Sequence, residues 1–209
     1  MKSLNSMQYE ALRKGAEITA ADDHGDKVLL MADGTYLKLF RIKRLITSAR
    51  LFPYWHRFVR NAEKLSQLGI PTVKVLEVYQ IPHLDRTAVH YEPLPGSTLR
   101  QVGDMDEALV DQFGRFLSDL HDKGVYLRSL HLGNVVRTPA GELGLIDIAD
   151  MRIRKKPLSG RLRLRNYHHL CRYEEDREVV ARHEQAFLAH VDDSIRPELQ
   201  LMLQRRPAD

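Results

Sequence analysis

Residues 126–136 read YLRSLHLGNVV, and thirteen residues after Asn134 the apolar run Leu143-Gly144-Leu145-Ile146 leads to Asp147. A carboxylate at the end of a buried strand, facing a cleft, suits Mg²⁺, which takes oxygen ligands and keeps waters and substrate phosphates. The amide oxygen of Asn134 supplies a second, neutral ligand. An aspartate at a strand end is often only a cap, but its spacing from Asn134 favours a magnesium site made by these two residues.

Bulk composition indicates a globular chain of 209 residues with net charge +4, long enough for one domain or two small lobes sharing a cleft. No run approaches the roughly 20 apolar residues of a membrane span, and residues 1–14 lack the apolar core of a secretory signal. Cys171 is the single cysteine, which excludes an internal disulfide. We therefore expect a reducing, cytoplasmic setting and an inert Cys171.

Hydrophobic periodicity divides the chain into a strand-rich first part and a helix-rich second part. The pattern predicts strands at 16–20, 27–31, 35–40, 73–79 and 87–91, a helix at about 52–68, an irregular Pro- and Gly-rich segment at 92–96, an amphipathic helix at 106–123, a hairpin of 134–137 with 143–148, and helices at about 166–191 and 196–205. This order predicts an α+β fold with an antiparallel-sheet lobe at 1–91, a hinge at 92–96 and a helical lobe at 97–209.

Lys38 is the one charged side chain within the apolar strand Tyr36-Leu37-Lys38-Leu39-Phe40. Strand alternation places Tyr36, Lys38 and Phe40 on one face and the two leucines on the other. A buried ammonium group is costly without a partner, which makes Lys38 a candidate for binding an anion. The alternative is that its head group reaches solvent along an apolar stem.

Together these features resemble protein-kinase-like phosphotransferases. The kinase catalytic loop reads H-R-D-x-x-x-x-N, and its Asp accepts the substrate proton. Arg128 and Asn134 fit that spacing, Asp147 stands where the second metal-binding residue belongs, and Ser129 replaces the catalytic Asp. The resemblance extends from about residue 16 to residue 173 and implies a two-lobed fold, with ATP and Mg²⁺ as cofactors.

The resemblance also implies roles for residues of the first part. Lys38 would hold nucleotide phosphates and pair with Glu63, the only acidic residue between Gly34 and Leu76. Glu63 could instead pair with Arg60 or Lys64 on its own helix. In the connector the backbone carbonyl of Glu92 and the backbone amide of Leu94 would bind adenine; the alternative is an ordinary loop.

Two departures bear on activity. The first turn holds one glycine, Gly25, among three aspartates, so a glycine-rich phosphate loop is missing. A serine hydroxyl at position 129 cannot accept a proton near neutral pH, and general-base help is typically worth ~10²–10⁴ in rate. His131 and Asp150 are nearby candidates for the base, although His131 could equally stabilise the loop.

A basic block with eight Lys or Arg residues and no acidic residue extends from Met151 to Tyr173. Within the kinase-like fold, the short chain and residues 145–154 (LIDIADMRIR) resemble bacterial lipopolysaccharide-core kinases, which phosphorylate heptose or 3-deoxy-manno-octulosonic acid. The loop 128–134 (RSLHLGN) resembles that of a pseudomonad group of toluene-tolerance proteins. This resemblance implies a nucleotide and an anionic glycolipid or phosphorylated sugar as partners, with peripheral contact at the inner membrane. The block would bind the anionic substrate through Arg152, Arg154, Lys155, Lys156, Arg161, Arg163 and Arg165, unless it is only a solvated loop.

Three other functions stay open. A pseudokinase would bind nucleotide, or nothing, without transfer. A kinase of a cationic small molecule fits poorly with the basic block. A nucleic-acid binder ranks last, because the block has no aromatic interleaving beyond Tyr167 and Tyr173 and no known motif.

Overall fold

The computed structural model describes residues 1–41 and 53–204. In chain order the strands are β1 Lys2–Ser3, β2 Glu17–Asp22, β3 Gly25–Leu30, β4 Tyr36–Arg41, β5 Lys74–Ile81, β6 Arg86–Glu92, β7 Ser97–Thr98, β8 Val125–Tyr126, β9 Val135–Arg137, β10 Leu143–Leu145 and β11 Arg152–Ile153. The α-helices are α1 Ser6–Leu12, α2 Tyr54–Gln67, α3 Leu99–Val102, α4 Glu107–Asp122, α5 Gly160–Leu170, α6 Glu174–Ala181, α7 Glu184–Leu188 and α8 Arg196–Leu203. This mixture confirms the α+β class.

One sheet is built from the first 92 residues, with strand order β1-β5-β6-β4-β3-β2. Its pairs are antiparallel except at one edge, where β1 runs parallel to β5. The five strands predicted between residues 16 and 91 all form, each within two residues of its predicted bounds. The edge strand β1 was not predicted, because two exposed residues carry no alternation signal.

Strand β4 packs against apolar side chains on both faces, as its alternation predicted. Leu37 and Leu39 lie in a small cluster completed by Tyr9, Leu29, Met31, Ile81 and Ala88. On the opposite face Phe40 packs against the main core, which includes Phe58 of α2 and continues through α4 to α8. Helix α2 therefore lies between the sheet and the residues that follow Asp147. The start of the predicted helix, Phe52, lies outside the described residues.

The helical second part departs from prediction in two ways. The helix predicted over 166–191 is three helices, α5 to α7, and the first begins at Gly160 inside the basic block. The basic block is therefore partly helical and not a loop. The start of α5 was not predicted because its polar residues obscure the apolar stripe in the sequence. The hairpin also forms, but β10 ends at Leu145, before Asp147. Within the described ranges no helix is long and apolar enough to cross a membrane.

Two small sheets position the loops. β7, which follows the connector, joins the hairpin in the order β10-β9-β7. β8 pairs antiparallel with β11, so that Tyr126 lies opposite Arg152. The first sheet brings the connector onto the hairpin, and the second brings the catalytic-loop segment beside the basic block.

Candidate functional site

A cleft of about 560 Å³ lies between the large sheet, the connector and the hairpin. Its walls come from segments far apart in sequence: Leu30, Gly34, Tyr36, Lys38, Phe58, Val73, Tyr91, Pro93, Leu94, Pro95, Gly96, Thr98, Gln101, Val136, Ile146 and Asp147. This volume falls within the range of small-molecule sites.

Lys38 and Asp147 meet in this cleft. The Lys38 Nζ donates a hydrogen bond to Asp147 Oδ1 at 2.7 Å, across 109 residues of sequence. The same ammonium lies 5.5 Å from the ring centroid of Phe58 and 6.0 Å from that of Phe40. These aromatic walls reduce hydration of the ammonium, and cation–π contact compensates for part of that loss. Both charged heads remain on the accessible surface of the cleft.

Asp147 has an unusual backbone conformation. Its φ of 51° and ψ of 49° lie in the left-handed region, where a non-glycine residue is uncommon. Such conformations cost energy and concentrate at functional sites. The residue before it is fixed by a hydrogen bond from the Ile146 amide to the Asn134 carbonyl at 3.0 Å. After it, a 3₁₀ turn at Ile148–Asp150 redirects the chain.

Asn61 of α2 fixes that turn. Its buried Nδ2 donates to the carbonyls of Ile148 at 2.7 Å and Met151 at 3.0 Å. Both bonds reach across the turn that carries Asp147, so α2 holds this carboxylate in place from behind. Asn61 was not predicted as a functional residue. The feature that could have indicated it is its position as a polar residue on the apolar stripe of the helix, beside Ala62 and Leu65.

Asn134 is buried, is oriented by its own loop and is not among the residues that line the cleft. Its Nδ2 donates to the Ser129 carbonyl at 2.9 Å. Since that bond uses an amide N–H, the Oδ1 atom is the one free to act as a ligand. One carboxylate and one amide oxygen fit Mg²⁺ held mainly by substrate phosphates. Among residues 1–41 and 53–204 no group of three or more His, Cys, Asp or Glu side chains is arranged to hold a metal.

A half-buried ion pair supports the loop. Asp176 of α6, 1% exposed, accepts hydrogen bonds from Arg100 at 2.8 to 3.0 Å. Its Oδ2 also accepts from the backbone amide of Leu132 at 2.8 Å. The loop is therefore tied to α3 and α6 at its centre. This role of Asp176 was not predicted, because the residue lies in a run of acidic residues at a helix start.

His131 lies beside that ion pair, outside the walls of the cleft. Its ring contacts Tyr173 edge-on at 5.1 Å, and its buried Nδ1 has no hydrogen-bond partner among the described residues. Burial, with help from the Arg100 guanidinium, lowers the pKa of His131. A neutral imidazole could accept a proton, but the buried Nδ1 is closed to substrate. The position suits a role in stabilising the loop.

The expected pairing of Lys38 with Glu63 is wrong. Lys38 pairs with Asp147, and no ion pair joins it to Glu63. The physical reason is helical geometry: five residues at 3.6 per turn rotate Glu63 about 140° from Phe58, the α2 residue that faces the cleft. Glu63 is exposed and lines a different cavity, between α2 and residues 69–75.

The connector contributes to the cleft through Pro93 to Gly96. Glu92 is the last residue of β6, and its carboxylate pairs with Lys74 at 3.2 Å, so only its backbone could serve a ligand in the cleft. Leu94 lines the cleft, as expected. Tyr91 and Tyr36 stack at 5.8 Å between ring centroids and form an aromatic wall.

The residues predicted to be catalytic do not all lie in the cleft. Arg128 is exposed and lines a second cavity, of about 300 Å³, together with Arg152, Arg154 and Arg165. Arg163 is instead a structural residue: it donates to Asp122 at 2.5 Å and to the Leu158 carbonyl at 3.0 Å. The remaining members of the block, Lys155, Lys156 and Arg161, are exposed on the surface.

No protein-family model matches the chain, and a search of curated proteins finds no significant match. The chemistry of the cleft therefore carries the functional interpretation.

Proposed function

We propose that this protein is an ATP- and Mg²⁺-dependent phosphotransferase with a two-lobed, protein-kinase-like fold, acting on a lipopolysaccharide-core sugar. One observation carries the proposal: Lys38 and Asp147, 109 residues apart, meet at 2.7 Å in the cleft that the connector borders. An ammonium and a carboxylate at one wall are what a metal–triphosphate requires, since one binds phosphate oxygens and the other the metal.

In this proposal the nucleotide lies between the aromatic wall and the connector. The backbone carbonyl of Glu92 and the amide of Leu94 bind adenine, and Lys38 binds phosphate oxygens. Asp147 and Asn134 hold Mg²⁺, which neutralises the charge on the transferring phosphate when bound. Lys38 must then exchange part of its contact with Asp147 for phosphate, and the accessible heads of this pair permit that exchange.

Ser129, which replaces the general base, determines the rate of phosphoryl transfer that we expect. Phosphoryl transfer has a loose transition state and depends mainly on positioning and charge neutralisation. Loss of the general base costs ~10²–10⁴ in rate but leaves those contributions in place. We therefore expect slow transfer to a sugar hydroxyl.

The first experiment measures nucleotide binding by thermal shift with Mg-ATP. Wild type should be stabilised in a concentration-dependent manner, because a ligand that binds only the folded state raises its stability. Asp147→Ala should lose this response. The control is Asp193→Ala, the same change at an exposed residue outside the cleft, which should respond like wild type. An equal response in all three proteins, or none in wild type, would refute the proposal.

A second candidate is a nucleotide-binding regulatory module without transfer, favoured by Ser129. Transfer of labelled phosphate from ATP to purified core oligosaccharide separates the two. Transfer by wild type that Asp147→Ala abolishes supports the enzyme. Mg-ATP binding without transfer, combined with transfer by Ser129→Asp, supports the module.

A further inference from the structure

The cavity of about 300 Å³ that Arg128 lines is a pocket of arginines separate from the nucleotide cleft. We call it the four-arginine pocket; its walls are Tyr126, Arg128, Leu162 and Arg165, with Arg152 and Arg154. None of these residues lines the cleft that holds Lys38 and Asp147. Its wall contains four cations and no carboxylate.

Three elements create this convergence by their regular geometry. Tyr126 lies directly opposite Arg152 in the β8–β11 pair, so the two side chains share a face of the ladder. Arg154 follows directly after β11, where its backbone amide donates to the Gly124 carbonyl at 2.9 Å, and its side chain lines the same pocket. Leu162 and Arg165 lie three apart on α5 and are neighbours on its surface. The arrangement is therefore set by the backbone.

The charges in this pocket are uncompensated. Elsewhere arginines pair with carboxylates, as Arg100 does with Asp176 and Arg163 with Asp122. Within the described part of the chain, no ion pair involves Arg128, Arg152, Arg154 or Arg165. Four like charges around one small cavity repel one another, and an anion bound among them would relieve that repulsion.

A neighbouring histidine reports the same field. His169 lies 3.2 Å from the Tyr126 hydroxyl, at the edge of the pocket. Burial first, and then the charges of Arg165, Arg172, His168 and Arg128, lower the pKa of His169. The contributions of Arg165 and Arg128 to this lowering reflect the proximity of His169 to the arginines of the pocket.

We infer that the four-arginine pocket binds the phosphate group of a phosphorylated ligand. Guanidinium groups match phosphate in bidentate geometry, and several of them favour a multiply charged anion over a monocarboxylate. Arg128 directly precedes Ser129, the residue that stands in place of the catalytic Asp in the proposed function. The further identification of this ligand as the acceptor sugar rests on the proposed function; the binding of phosphate does not.

The test is calorimetric titration with inorganic pyrophosphate, without nucleotide or metal, at low ionic strength. Arg154→Gln and Arg165→Gln should each weaken binding about tenfold, the effect of losing one charge-assisted contact. The matched control is Arg161→Gln, which removes an equal charge from an exposed residue of the same block outside the pocket. Its affinity should equal that of wild type. Equal weakening in all three variants, or no binding by wild type, overturns the inference.

A second comparison separates this site from the nucleotide cleft. Lys38→Met removes the cation of the cleft and should leave the affinity for pyrophosphate unchanged. If Lys38→Met weakens binding and the pocket variants do not, the anion binds in the cleft and the inference is wrong. Retained pyrophosphate binding in a protein that fails the Mg-ATP test would support the pocket while refuting the proposed function.

The phosphate could belong to a lipid headgroup or to a soluble phosphorylated ligand, and a vesicle-sedimentation experiment distinguishes the two. Vesicles of phosphatidylcholine with and without phosphatidic acid are sedimented with wild type and Arg165→Gln. Sedimentation with the anionic vesicles that is lost in the variant assigns the pocket to a lipid headgroup. Pyrophosphate binding without such sedimentation assigns it to a soluble phosphorylated ligand.

Discussion

The Lys38–Asp147 pair contributes little to the stability of the fold. The Lys38 side chain is 22% exposed and that of Asp147 is 54% exposed, so solvent screens their attraction. Exposed ion pairs typically contribute about 0–1 kcal/mol. The left-handed backbone of Asp147 works against stability as well. The pair therefore positions two charges and contributes little to the fold.

The first prediction separates these two roles. Lys38→Met should change the free energy of unfolding by less than about 1 kcal/mol, because the pair is screened and the new side chain still packs on Phe58. It should nonetheless lose the thermal shift with Mg-ATP. Urea unfolding, followed by the fluorescence of the only tryptophan, Trp55, measures the first quantity. Severe destabilisation would show that the pair is a structural contact.

Asn61 has the opposite character, and its removal should cost stability. Asn61→Ala leaves the carbonyls of Ile148 and Met151 without their buried donor, at a cost of about 2–4 kcal/mol. The same urea experiment measures this loss. Gln67→Ala, at the exposed end of the same helix, is the control and should stay within about 0.5 kcal/mol of wild type. Similar losses in the two variants would contradict the assigned role.

At the scale of elements, the connector depends on one close backbone approach. Gly96 has a φ of 127°, and a Cβ placed there would lie 2.1 Å from the Arg137 carbonyl oxygen of β9. The next residue, Ser97, pairs with Arg137 as β7 joins the hairpin. A glycine at this point lets the connector rest on the hairpin, which closes one side of the cleft.

Gly96→Ala should therefore destabilise the protein by about 3 kcal/mol or more, combining backbone strain with overpacking. It should also weaken Mg-ATP binding. Gly141→Ala is the matched control: its φ is 82°, but nothing lies within 4 Å of the added Cβ, so we expect only the conformational cost of about 1 kcal/mol. Comparable urea midpoints for the two variants would show that the close approach is unimportant.

At the scale of the whole molecule, we expect the buried His121 to make the protein less stable at acidic pH. His121 is fully buried, its Nε2 bonds Asn166 at 3.1 Å, and burial lowers its pKa from 6.5 to about 4. Between these values the unfolded chain binds a proton that the folded protein does not. Stability is therefore complete above pH 6.5 and falls as the pH drops toward 4, by an amount of the order of 3 kcal/mol. His131 and His169, with lowered pKa values, act in the same direction.

His121→Gln should flatten this dependence, because glutamine does not titrate. Free energies of unfolding measured between pH 7 and pH 4 should fall less steeply in the variant than in wild type. Exposed His56→Gln is the control and should keep the wild-type slope. An unchanged slope in His121→Gln would place the acid sensitivity elsewhere.

The sequence alone determined the five strands between residues 16 and 92, the α+β class and the two faces of β4, because these follow from local alternation and turn residues that each segment carries itself. It also marked Lys38, Asn134 and Asp147, whose residue types are unusual in their apolar surroundings. Only the tertiary structure decided which groups meet. It paired Lys38 with Asp147 instead of Glu63, turned Arg128 into the four-arginine pocket, and gave supporting roles to Asn61 and Asp176. Pairing depends on the rotation of a helix and the crossing of distant segments, and neither is encoded in the spacing of residues along the chain.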